Sequence, residues 1–350
     1  MKAITMRQRA SLLRCYGEFL HGVVAIFSKL VLPLPLSFRE RMPLTRRVAV
    51  SVSALCFTVL MACSSSLFAA VPVPQNFVLI RGGEFTMGSP VGESGRDSYK
   101  LFSIAGNETQ HQVRLSDFYM SKYSVTVAEF RKFIEDSGYQ TNAEKTGKSV
   151  VISGGKPWVK PQVNWRHGVS GSLRTETEEN HPVLHVSWND AVAYCKWMSE
   201  KTGKTYRLPT EAEREYACRA GTQTPFNTGE NLTTAQANYD GTYPYMNNEK
   251  GVYRENTVPV NSFAPNAWGL YNMHGNVWEW CSDRYRGSYY DECKAAGVVT
   301  NPKGSTTGTD RILRGGGWGD EAQSCRSAYR HYPTPDYHNY SIGFRVVFIP

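Results

Sequence analysis

The sequence predicts an α+β domain with few helices, short antiparallel strands and many loops. Three observations carry that reading. Three segments pair a helix start signal with a glycine stop and one apolar face. Runs such as 76–89 and 111–126 alternate apolar with small or polar residues over strand lengths. The remainder, 222–350, is short apolar runs interrupted by Gly, Pro, Asn and Tyr, with no repeat and no low-complexity tract. At 350 residues the chain is long enough for one large domain with a real core.

The leader comes first. Residues 42–63, MPLTRRVAVSVSALCFTVLMAC, have a basic start and then an apolar run. The run is short for a membrane span and suits a secretory signal. Leu60-Met61-Ala62-Cys63 resembles a lipoprotein box, which predicts acylation at Cys63; cleavage near Ala69-Ala70 is the alternative. Residues 1–41 read as a non-native or disordered leader, with Met42 as the start. The expected division is therefore signal peptide 42–70 and domain 71–350. The expected location is the periplasm, outer membrane or cell surface, with membrane contact only through the lipid anchor.

In the body, NFVLIRGGEFTMGS reads as a strand pair with a glycine turn, and 90–111 as a loop. HQVRLSDFYMSKYSVT is strand-like. Thr126 and Glu129 make a capping box; Phe130, Phe133 and Ile134 share a face, and Gly138 ends the helix. Residues 140–180 read as a long loop. Ser187 to Asp190 open a second helix whose buried face is Ala191, Tyr194, Cys195, Trp197 and Met198, stopped by Gly203. The third helix has Pro209 before it, Thr210 and Glu213 at its start and Gly221 at its end. The segment 266–285, NAWGLYNMHGNVWEWCSDRY, gathers Trp268, Tyr271, Trp278, Trp280 and Tyr285 around Gly269 and Gly275. It reads as a tightly turned core segment. Asn272, Glu279 and intervening carbonyls are the alternative reading, a cage for a hard cation such as calcium, which wants many oxygens.

Charge and cysteines narrow the function. The formal charge is +8, but part of it lies in the first 47 residues, and the body interleaves Lys and Arg with Asp and Glu. A nucleic-acid partner is therefore not expected. His181 and His185 lie four apart in a strand or loop pattern, so they share no helix face and read as ordinary histidines. His331, Asp336 and His338 form a two-His-one-carboxylate iron set on paper only. Three of the eight Cys fall in the leader; Cys195, Cys218, Cys281, Cys293 and Cys325 are in the body. An exported domain permits disulfides, and five is odd, so one thiol stays out of any pairing within the body. Cys195 reads as a small buried hydrophobe, and Cys281 with Cys293 is a candidate pair.

Taken together, RGGEFTMGS (81–89), the segment 181–221, GNVWEW (275–280), RILRGGGW (311–318) and SIGFR (341–345) resemble the formylglycine-generating-enzyme family, the sulfatase-modifying-factor domains. The resemblance runs from about 77 to 348 in the family's order. It implies a C-type-lectin-like fold. It also implies calcium held by Asn272, the Gly275 and Val277 carbonyls, and Glu279. A second calcium site would begin at Asn238 but lacks an evident aspartate. A disulfide from Cys218 to the C-terminal segment is implied too; the family's second cysteine aligns with Ser327, and Cys325 is the expected partner here. Most relatives carry Trp where this chain has Arg214.

The family oxidises a substrate cysteine with oxygen at a copper ion held by two thiolates, a soft pair suited to Cu(I). Here the segment reads RGGGWGDEAQSCRSAYR. The first copper cysteine aligns with Asp320, the second falls near Ala322, and the family's serine aligns with Gly317. Neither copper nor iron finds its ligands. The pocket candidates are Trp278, Asp320 and Arg330. Trp318, His331, Tyr332, Asp336, Tyr337, His338 and Tyr340 are of the types adaptable paratopes use. They resemble the variable region of lectin-fold proteins diversified by retroelements. The expectation is an exported, non-catalytic module binding a protein or small-molecule ligand. The alternative is a divergent extracytoplasmic oxidoreductase akin to the family's pyoverdine-maturation members.

Overall fold

The computed structural model describes residues 74–96 and 107–349. The expected signal, the acylation site Cys63 and the start at Met42 lie outside the described residues. Five α-helices are present among them: α1 (Val127–Ser137), α2 (Asn142–Thr146), α3 (Trp188–Thr202), α4 (Glu211–Arg219) and α5 (Tyr289–Ala295). The three expected from sequence start where their caps say. Thr126 Oγ1 accepts from the Glu129 amide while the Glu129 carboxylate accepts from the Thr126 amide at 2.9 Å, and Gly138 leaves α1 at φ 65°. Ser187 and Asp190 do the same for α3, as Thr210 and Glu213 do for α4. Helix α4 ends one residue earlier than expected, with Ala220 itself left-handed at φ 46° before Gly221.

The strands are β1 (Phe77–Ile80), β2 (Gly83–Met87), β3 (His111–Leu115), β4 (Phe118–Ser121), β5 (Lys148–Ser153), β6 (Lys156–Pro161), β7 (Thr205–Arg207), β8 (Trp278–Arg284), β9 (Val298–Thr300), β10 (Arg311–Arg314), β11 (Arg330–His331), β12 (Ile342–Gly343) and β13 (Val347–Ile349). They build four sheets, ordered β1-β4-β13-β7, β11-β10-β8-β12, β2-β3-β9 and β5-β6. All pairings are antiparallel except β8 with β12 and β3 with β9. The mixed α+β class is as the sequence predicts.

Two expectations change. β1 and β2 are not a pair: β1 pairs with β4 and β2 with β3. The chain can switch sheets because Gly82 lies against β3, where a Cβ would stand 2.2 Å from the Leu115 carbonyl, and its amide donates to the Asp117 carboxylate. The segment 140–180 is not plain loop. It holds α2, too short to show a helical period, and the β5-β6 hairpin turned by Gly154 and Gly155 at positive φ. β6 is exposed along most of its length, so no alternation marks it.

The site rests on β8, which lies inside its sheet between β10 and β12. Trp278 and Trp280 alternate onto the aromatic core with Phe130, Trp165, Tyr194 and Phe344. Glu279 points the other way, to α4. Phe130 is fully buried, with its ring centroid 5.7 Å from Trp165 and 6.0 Å from Tyr194. Phe130→Ala should cost about 3–5 kcal/mol, read as a lower denaturant midpoint at unchanged slope.

Candidate functional site

After β10 the chain turns through three glycines and brings Asp320 back over β8. Asp320 Oδ2 accepts from Trp278 Nε1 at 2.8 Å and from the Gly317 amide at 2.8 Å. The site is tight: a Cβ on Gly317 would lie 3.0 Å from Asp320 Oδ2 and 3.4 Å from Trp278 Cδ1. Burial pushes the Asp320 carboxyl up to about 6, against the two hydrogen bonds that favour its charged form. Trp278 packs beside Tyr329 and His331, centroids 6.0 and 5.8 Å away.

Arg330, expected beside Trp278 and Asp320, is elsewhere. Neighbouring residues of β11 face opposite ways, and Arg330 reaches Glu211 at 2.6 Å and stacks its guanidinium 3.8 Å over the Tyr290 ring. Its role is in the core.

The expected binding face is also divided. Trp318 is 1% exposed, stacked on Tyr253 and edge-on to Tyr340, with Nε1 donating to the Tyr340 carbonyl. It supports the surface without belonging to it. Tyr332 stacks on Tyr285 at 3.6 Å, and Asp336 and Tyr337 are exposed. His338 has its ring nitrogens on the Asp336 and Lys148 carbonyls, while His331 faces Trp278, so the two histidines and Asp336 do not converge. His181 contacts Thr257 and His185 lies between Ser149 and the Gly168 carbonyl, satisfied separately.

Around the expected calcium residues, Asn272 turns at φ 50°, its amide donates to the Val260 carbonyl, and its Oδ1 is buried without a partner. The Gly275 carbonyl accepts from the Val277 amide at 3.0 Å. Glu279 is fully buried. Its Oε2 accepts from Arg214 Nε and Arg345 Nε, both at 2.7 Å, and its Oε1 from Ser124 Oγ at 2.7 Å. Burial opposes ionisation, but Arg345 and Arg214 outweigh it and hold the carboxyl at about 2. The four residues do not fit a calcium ion, because their single carboxylate already serves two cations. Sequence reasoning missed this: Arg345 was visible in SIGFR and Arg214 as a departure, but their meeting point was not.

The expected Cys218–Cys325 and Cys281–Cys293 disulfides are absent; all five cysteines of the body are free and buried. Cys218 faces Ser327 Oγ at 3.7 Å, the position where the resemblance puts the second cysteine. Cys325 Sγ instead packs under Gly316, 2.6 Å from where a Cβ would be. His274, also not anticipated, wedges in: Nε2 accepts from the Asn227 amide and Nδ1 donates to the Cys325 carbonyl.

The chain matches the sulfatase-modifying factor enzyme 1-like domain over residues 65–349. It is 38% identical to the formylglycine-generating enzyme of Bos taurus over 297 residues, covering 78% of this chain and 74% of the relative. It is 31% identical to the inactive C-alpha-formylglycine-generating enzyme 2 of Bos taurus, covering 77% of this chain and 87% of the relative. Its structure superposes on PvdO from Pseudomonas aeruginosa with a TM-score of 0.60 and 30% identity, over 78% of this chain and 94% of that one.

A folded-state carboxyl raised to about 6 from 3.8 binds protons the unfolded chain has released. Its stabilising contribution is present below the lower value and is lost as pH rises through the upper one. Asp320→Asn, which keeps an acceptor oxygen for Trp278, should therefore gain stability relative to the wild type as pH rises from about 4 to 6. Chemical denaturation of both proteins across that range measures it; a constant difference would refute it.

Proposed function

The chain belongs to the sulfatase-modifying-factor family of formylglycine-generating-enzyme-like proteins, and from that membership we propose that it is a non-catalytic member that binds a protein or small-molecule ligand outside the cytoplasm, anchored through Cys63. The observation that carries this reading is the inward turn of Asp320 onto Trp278 and Gly317. In the segment where the resemblance places a copper thiolate pair, a carboxylate fills the space and satisfies the neighbouring donors. Cys325, the thiol of that segment, is buried under Gly316 and has no second cysteine beside it in the segment. A relative that bears the name of an inactive formylglycine-generating enzyme agrees with a scaffold kept without that chemistry.

The ligand-binding surface is the rim around this closed centre. Asp336, Tyr337 and Gly319 are exposed, and Tyr340 and Tyr253 are half-buried against Trp318. Tyrosine gives large contact area at small entropic cost. A second reading rests on the Asp320 carboxyl near 6, a proton affinity suited to acid–base work close to neutrality. In that reading the protein is a divergent oxidoreductase with Asp320 at its centre.

An oxygen electrode separates the two. Protein supplied with copper and a cysteine-containing peptide should consume no oxygen above the blank. Uptake that disappears in Asp320→Ala would install the second reading. For the surface, a ligand recovered with the wild-type protein from the extracytoplasmic fraction should bind the Tyr337→Ala, Tyr340→Ala double variant at least about tenfold more weakly, the loss of an aromatic anchor pair. Unchanged affinity would place the binding surface elsewhere.

A further inference from the structure

Glu279 is the one carboxylate among the four residues expected to hold calcium, and it is fully buried. Two guanidinium groups share its Oε2. Each also reaches the turn at Asn272. Arg214 Nη2 donates to the Met273 carbonyl at 2.9 Å, and Arg345 Nη2 to the Tyr271 carbonyl at 2.8 Å. The carbonyls on either side of Asn272 are thus tied to Glu279 through two cations. That is the work a divalent ion does when it gathers backbone carbonyls and a carboxylate around itself.

The local charge decides between them. One carboxylate already has two guanidiniums in contact with it, all three out of reach of water. A divalent ion on the same carboxylate would add two positive charges against those of Arg214 and Arg345, with like charges in contact, a cost that grows as the local dielectric falls. Asn272 Oδ1 is buried and without a partner. It is neutral, and it does not offset that repulsion.

We propose that the Arg214 guanidinium is a built-in substitute for calcium in this chain, so that the turn at 271–279 is organised without a metal ion. The family resemblance implies Trp at this position in most relatives. An aromatic ring there supplies no charge to Glu279, which is left with the single guanidinium of Arg345, and an external cation then meets one like charge in place of two. One exchange of side chain would move the protein between the two states.

The test uses the purified full-length protein and calcium alone as the probe. After gel filtration in calcium buffer, the wild type should carry no stoichiometric calcium by elemental mass spectrometry. Its melting temperature should be the same in excess calcium and in chelator. Arg214→Trp should gain a melting temperature that rises with calcium and falls with chelator, as binding to the native state requires. Arg214→Gln, neutral and closer in length, should respond in the same direction if the Trp variant does not fold. About one calcium per wild-type chain, with a chelator-sensitive melting temperature, would overturn the proposal. So would a folded Arg214→Gln that ignores calcium.

Discussion

The structure depends on one buried carboxylate. Glu279 sits in the middle of β8, and three parts of the chain distant in sequence end on it: Ser124 before α1, Arg214 in α4 and Arg345 between β12 and β13. Arg345 also holds the carbonyls of Ser121 and Lys122. The end of the inner strand β4, helix α4 and the β8 sheet are therefore fixed relative to one another by a single charge. Burying such a group costs several kcal/mol before pairing, and the pairing must be complete to recover it. Ser124, Arg214 and Arg345 supply that pairing.

The same arrangement recurs nearby. Glu211 and Glu215 of α4 meet Arg314, Arg330 and Arg219, and Glu93 and Glu108 close on Arg326. In these networks removal of one partner strands another, at about 3–5 kcal/mol. A chain built largely of loops has few long ladders of backbone hydrogen bonds to set its geometry. Charged pairs with strict directions supply that geometry instead. They also engage Arg330, whose guanidinium is taken up by Glu211 and Tyr290 and not by the Trp278–Asp320 pair.

What the sequence made legible follows the range of each signal. Caps and glycine stops are local, and Thr126 with Gly138 or Ser187 with Gly203 marked helix ends to the residue. The motifs around 275–280 and 311–318 marked the centre of the site and the Trp278–Asp320 neighbourhood. Pairing between distant positions was not legible. Whether β1 meets β2 or β4, whether Cys218 faces Cys325 or Ser327, and which cation reaches Glu279 are all settled by approach distances of a few ångströms. The burial of Trp318 was hidden for the same reason. Its neighbours Tyr253 and Tyr340 lie 65 and 22 positions away, and Val169, Leu184 and Val277 complete its packing.

The free thiols have a consequence for how the protein is made. The described body holds five cysteines, all reduced and all out of water. Folding therefore does not wait for an oxidant or an isomerase, and the order in which sulfur atoms meet does not matter.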